Sequence, residues 1–75
     1  SLLYVRGNYK RKGLGNLILD SIERDALKSG IDKLNTEASL ISCKLLLKRN
    51  WEIHRKEKVN ISGLIFERYK MFKIL

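Results

Sequence analysis

The chain has 75 residues, 44% hydrophobic and 32% charged, with a formal net charge of +8; it is long enough for one domain with a thin core, since so short a chain buries only about 60% of its unfolded surface, and it is too apolar to be a disordered segment. Its single cysteine, Cys43, excludes an internal disulfide, no apolar run reaches the roughly 18 residues of a membrane helix, and no signal-peptide pattern opens it, so the expected setting is cytoplasmic and reducing, away from membranes. The positive charge attracts polyanions and does not choose between nucleic acid, an anionic surface and a phosphorylated cofactor.

In chain order, Leu2-Leu3-Tyr4-Val5 reads as a strand closed by the turn signal Arg6-Gly7-Asn8. From Leu14, apolar residues at 14, 17, 18, 22 and 26 form one stripe of a 3.6-residue period, which predicts an amphipathic helix with Gly30 as its C′ residue. Ile31 to Glu37 alternates as a strand. Ser39 is positioned to N-cap a second helix that carries Leu45, Leu46 and Leu47 and ends near Asn50. Beyond Trp51 the period changes to two, through Ile53, Arg55, Glu57, Val59 and Ile61, breaks at Ser62-Gly63, and resumes over 64–66 and 69–74. That pattern predicts a hairpin, with a bulge in its second strand. The order is β-α-β-α-β-β, an α/β (α+β) domain with a right-handed parallel βαβ unit extended by antiparallel strands into a mixed sheet.

The segment Lys10-Arg11-Lys12-Gly13-Leu14-Gly15-Asn16 carries the clearest chemistry. A helix N-terminus presents unpaired N–H groups and about half a positive charge, which together attract phosphate. Glycines let the main chain approach an anion without interference from Cβ, and the adjacent cations raise the potential. A Walker A loop would need Lys and then Ser or Thr after the second glycine, where this chain has Asn16-Leu17; a dinucleotide fingerprint would need a third glycine where it has Ile18. Both fail, leaving a diphosphate cradle or a plain strand-to-helix turn.

With the strand Leu3-Tyr4-Val5, then Tyr9, then Lys10-Arg11-Lys12-Gly13-Leu14-Gly15, the chain resembles the Gcn5-related N-acetyltransferase family in its acetyl-coenzyme A motif, with Lys10 in the usual Gln/Arg place. Gly30-Ile31-Asp32-Lys33-Leu34, Thr36-Glu37-Ala38-Ser39, Lys48-Arg49-Asn50-Trp51 and the closing Gly63, Tyr69, Met71, Lys73 and Leu75 continue the resemblance, with Asn50 in place of a glycine. It covers nearly the whole chain but only the second, cofactor-binding half of the family's domain, so residues 1–75 are expected to be one truncated domain with a partial acyl-coenzyme A N-acyltransferase fold.

The resemblance implies roles for individual residues. Leu3, Tyr4 and Val5 would lie on a splayed strand whose backbone pairs with the pantetheine arm, a main-chain N–H near Val5 receiving the acetyl carbonyl. Amides from Arg11 to Asn16 would hold the pyrophosphate, with Lys10 and Lys12 adding charge. Ser39 would reach the cofactor from the next strand's end. Leu46 stands where the family's usual Tyr protonates the departing thiolate, and Leu cannot be an acid. No catalytic residue is assigned: His54 reads as a solvated strand residue among Arg55, Lys56 and Lys58, Cys43 as a buried small hydrophobe, Trp51 as core and Glu37 as a structural strand end. The implied function is acetyl transfer from acetyl-coenzyme A to an amine, without a metal, completed by a second copy or partner chain that covers the Leu2–Val5 edge. The alternative is an inactive basic module that binds coenzyme A or nucleic acid.

Overall fold

The computed structural model describes residues 2–7 and 12–75, which form β1 (Leu2–Val5), α1 (Lys12–Lys28), β2 (Lys33–Ala38), α2 (Leu40–Lys48), β3 (Glu52–Ile61) and β4 (Leu64–Ile74). The element order is the expected β-α-β-α-β-β. α1 begins at Lys12, two residues ahead of Leu14, so Gly13 and Gly15 lie in its first turn rather than in a separate turn before it. Neither has a positive φ, so helical geometry here does not exploit the left-handed freedom of glycine.

Both helices stop in the same way. At the end of α1, Gly30 takes φ 78°, its N–H donates to the Leu27 carbonyl, and the Ile31 N–H donates to that of Ala26. At the end of α2, Asn50 takes φ 69°, and the N–H groups of Asn50 and Trp51 donate to the carbonyls of Leu47 and Leu46. Each end is a Schellman motif, which satisfies carbonyls the helix leaves unpaired and sets an apolar residue against the last turn. Because Ile31 is committed to closing α1, β2 starts at Lys33 rather than Ile31 and runs on to Ala38.

The strands form one sheet in the order β1-β2-β4-β3. β1 and β2 are parallel; β4 is antiparallel to both β2 and β3. The hairpin turn has positive φ at Ser62 (51°) and Gly63 (81°), a type I′ pair whose twist suits antiparallel strands. β4 is unbroken, and the irregularity lies instead in β3, where Ile53 pairs with Met71 and Arg55 with Lys70, leaving His54 as an extra residue. A bulge in β4 would interrupt ladders on both sides, whereas β3 is an edge strand with a single ladder to disturb.

Both helices cover one face of the sheet. Leu19 and Ala26 of α1, with Cys43, Leu45 and Leu46 of α2, share one core with Val5, Leu34, Ala38, Tyr69, Met71 and Trp51. The other face has no helix over it among the described residues, and carries Tyr4, Asn35, Glu37, Lys70 and Phe72. No described helix is long and apolar enough to cross a membrane.

One carboxylate ties these layers together. Glu23 of α1 accepts hydrogen bonds from Arg49 Nε (3.1 Å), Trp51 Nε1 (3.4 Å) and Lys73 Nζ, while Arg49 Nη2 also reaches Asp20 at 2.6 Å. Only 12% of the Glu23 side chain is exposed. Burial, the largest single influence, pushes its carboxyl up, but the bonds from Lys73, Arg49 and Trp51 together outweigh it and hold the carboxyl below the usual range. A depressed carboxyl contributes stability that is complete above its unfolded pKa of about 4.3 and lost as pH falls through the folded value. Glu23→Gln is expected to lower stability by about 2 kcal/mol at pH 7 and to flatten the acid limb of the stability curve below about pH 4.3; urea melts across pH 3 to 7 would read both.

Candidate functional site

β1 and β2 run parallel, so their carboxyl ends and the N-termini of the helices that follow them lie at one end of the sheet, where ligands bind in α/β structures. The first turns of α1 and α2 contain no acidic residue to oppose an anion. Gly13 is exposed, and a Cβ built on it would meet nothing within 4 Å. Space is therefore left beside the α1 terminus that no described side chain fills.

The β1–β2 ladder runs from Leu2–Lys33 to Val5–Thr36 and stops. β2 continues through Glu37 and Ala38 paired with β4 alone. Thr36 Oγ1 donates to the Val5 carbonyl at 2.7 Å in a buried bond that closes the last shared rung. Beyond it the two chains part, and a cavity of about 310 Å³ opens, lined by Tyr4, Val5, Arg6, Gly7 and Glu37.

A second cavity, of about 290 Å³, lies on the uncovered face; Tyr4 and Glu37 line it too, together with residues of β2, β3 and β4. The two cavities thus adjoin at Tyr4 and Glu37. The Tyr4 phenol is raised above its usual pKa, first by burial and then by the neighbouring Glu37 carboxylate, which keeps it neutral at physiological pH. Glu37 also meets Arg68 at 3.2 Å, and Arg68 and Lys70 flank Glu57 at 3.8 and 3.3 Å.

Lys10 and Arg11, and Tyr9 before them, lie outside the described residues, as does the side chain of Lys12. Leu14 is exposed on the first turn of α1 and Gly15 is buried. The Asn16 side chain turns inward, its Oδ1 accepting from Arg49 Nη1 at 3.2 Å. Leu3 and Val5 face the helices and Tyr4 the open side. Ser39 N-caps α2, its hydroxyl oxygen accepting from the Ser42 N–H at 3.3 Å while its own proton stays available.

Cys43 is buried, and burial raises its thiol, so it stays protonated. Leu46 is wholly enclosed in the core. Among the described residues no group of three or more His, Cys, Asp and Glu side chains is placed to hold a metal ion. Sequence reasoning passed over the Tyr4–Glu37 pair. The available signal was alternation, which sets residues 35 and 37 on the same face of β2, opposite the core residues 34 and 36.

No family model matches the chain, and no curated protein does. Among solved structures it is similar to a crystal structure from Rhodopseudomonas palustris described as "GCN5-Related N-acetyltransferase: Aminotransferase, Class-II", with 26% sequence identity and a TM-score of 0.70. The match covers 81% of this chain and 38% of that one. The chain is a homologue of partial coverage with a GNAT-like fold, and it spans well under half the length of the structure it matches.

The Thr36–Val5 bond can be tested by a near-isosteric change. Thr36→Val would keep the core volume and leave the Val5 carbonyl without its partner, an expected loss of about 1–2 kcal/mol, with faster amide exchange in β1 and β2 than in the β3–β4 ladder.

Proposed function

We propose that this chain binds acetyl-coenzyme A at the shared end of β1, β2 and the two helices, as the cofactor-binding half of an N-acetyltransferase that acts on an amine. The observation that carries this reading is the cavity at the β1–β2 divergence on the same end of the sheet as an acid-free helix terminus whose Gly13 leaves room for a phosphate. The similarity to the Rhodopseudomonas structure supports it.

The main-chain amides of residues 12–14, which the α-helix starting at Lys12 leaves without a partner, would hold the pyrophosphate, assisted by Lys10, Arg11 and Lys12; Gly15 and Asn16 lie one turn on, where the helix uses their amides. The β1 backbone, where it parts from β2 beyond the Val5–Thr36 rung, would pair with the pantetheine arm, and Ser39 would donate its free hydroxyl proton. Bound there, the coenzyme supplies an acetyl thioester: the amine nitrogen bonds to its carbonyl carbon, the C–S pair leaves on sulfur, the amine loses one proton and the thiolate gains one. Leu46 offers no proton, so Tyr4, neutral and lining both cavities, is the hydroxyl this chain brings to that junction. The single buried thiol, Cys43, suits a cytoplasmic setting.

Gly13→Ala separates binding from folding. Alanine favours a helix over glycine, so the variant is expected to be more stable by about 0.5 kcal/mol, while its methyl group fills the phosphate approach and weakens coenzyme A binding at least tenfold. Thermal shift with acetyl-coenzyme A reads the wild type and variant side by side; a shift produced by duplex DNA and not by acetyl-coenzyme A would favour the basic-module alternative.

We further infer that a second copy or partner segment covers β1, which is terminal in the sheet and exposes Leu2, Leu3 and Tyr4. Unpaired edges of this kind seek a partner strand. Sedimentation equilibrium is expected to give a mass above that of a single chain, reverting to one chain in Leu3→Lys; a folded wild-type monomer at all concentrations would rule out self-association.

A further inference from the structure

The bulge in β3 does more than shift register. Side chains alternate along a regular strand, so without an extra residue His54 would pair with Lys70 on the uncovered face and Arg55 with Tyr69 on the helix-covered face. With His54 inserted, it is Arg55 that pairs with Lys70, and Lys56 with Tyr69. Both His54 and Arg55 then line the 290 Å³ cavity on the uncovered face. Bulges re-aim side chains in this way beside binding sites.

The charges around that cavity are unequally committed. Lys70 is paired with Glu57 at 3.3 Å, and Lys33 sits over the Phe72 ring at 5.1 Å. Arg55 makes no ion pair among the described residues, although its charge is felt at Glu57. At the opposite side of the cavity, Glu37, whose Oε2 already meets Arg68 at 3.2 Å, and Tyr4 stand at the junction with the divergence cavity, which leaves the other Glu37 oxygen for a ligand. Beside Tyr4, as its cross-strand partner, and two residues from Glu37 on β2 lies Asn35, whose buried Oδ1 has no hydrogen-bond partner. Carboxylate and carboxamide oxygens at one end suit an ammonium group. The free guanidinium at the other suits a carboxylate or phosphate, which Arg binds through a planar fork. Glu37 and Arg55 are both cross-strand partners of Lys70, so their backbones are two strand spacings apart, about 10 Å. After side-chain reach, that leaves the span of a small molecule.

We propose that this groove selects acceptors that carry an acid group as well as the amine, with Arg55 holding the acid and Glu37 and Asn35 receiving the ammonium next to the thioester site. The proposal rests on the reading of the chain as an acetyl-coenzyme A-dependent N-acetyltransferase for its second half, the transfer, but not for the binding it predicts. Neither group need leave the groove for the amine to meet the neighbouring cavity, because Glu37 lines both.

The test uses the 75-residue chain with 4-aminobutanoate, butylamine and butanoate as probes, followed by amide chemical shifts with and without coenzyme A. Saturable shifts at Asn35, Glu37 and Arg55 are expected with 4-aminobutanoate, and at least tenfold weaker binding with butylamine or butanoate. Arg55→Ala, at an exposed position, should weaken 4-aminobutanoate at least tenfold, leave butylamine unchanged and leave the coenzyme A response intact. Substituting 2-aminoethyl phosphate for 4-aminobutanoate distinguishes a phosphate from a carboxylate preference. Equal binding of butylamine and 4-aminobutanoate, insensitivity to Arg55→Ala, or shifts confined to other residues would overturn the proposal. Loss of the coenzyme A response alone, with the probe pattern intact, would instead sink the acetyltransferase reading and leave the zwitterion groove standing.

Discussion

The Glu23 carboxylate is the point through which the helical layer is registered on the sheet. It belongs to α1 and takes donors from the C-cap of α2, from Trp51 at the entry to β3 and from Lys73 on β4. A carboxylate with so little exposure is tolerable only when its charge is answered and its lone pairs are filled, so these donors hold one another's positions as well as its own. Arg49 extends the arrangement to Asp20 and Asn16 on the same helix. The cluster holds the middle of α1 and the end of α2, and neither helix carries an acidic residue in its first turn. In a 75-residue chain with a thin core, such polar anchoring supplements apolar burial that is limited by surface-to-volume scaling.

The proposed site follows from a mismatch in strand length. β1 supplies four residues and β2 six, so the shared ladder runs out at Val5–Thr36 while β2 goes on alongside β4. The Thr36 hydroxyl satisfies the last β1 carbonyl, which lets the strands separate without leaving a buried acceptor unpaired. A ligand with amide groups can then enter where a strand would otherwise lie. Parallel pairing places the start of both helices at the same end, so backbone donors and the divergence cavity converge without any specialised side chain.

The uncovered face has a different character. Its central charges form a ladder, Glu37–Arg68–Glu57–Lys70, which keeps a solvent-facing sheet surface polar and ordered. Towards the hairpin turn the same face becomes apolar, with the cross-strand pairs Val59–Phe66 and Ile61–Leu64. The bulge at His54 falls between the ladder and the start of β3, where it turns one further cation outward. Edge strands accept such insertions readily because only one ladder is disturbed.

The periodicities of the chain were sufficient to set six elements in order, and the caps at Ser39, Gly30 and Asn50 followed from residue chemistry that acts over three or four neighbours. The glycine-flanked helix start was legible for the same reason, since it is a local feature, although the extent of α1 was not, because glycine within a first turn costs little and leaves no mark in the pattern. The location of the bulge depended on which strand ended up paired on both sides, and that is a property of the sheet order rather than of either strand's own residues. Glu37, read alone, was an acidic strand end; it became part of a junction only when β1 brought Tyr4 beside it and β4 brought Arg68. Local chemistry was written in the sequence. The β1–β2 and β2–β4 pairings, the Glu23 cluster and the meeting of two cavities were decided by contacts between residues 26 to 50 positions apart, which no local pattern encodes.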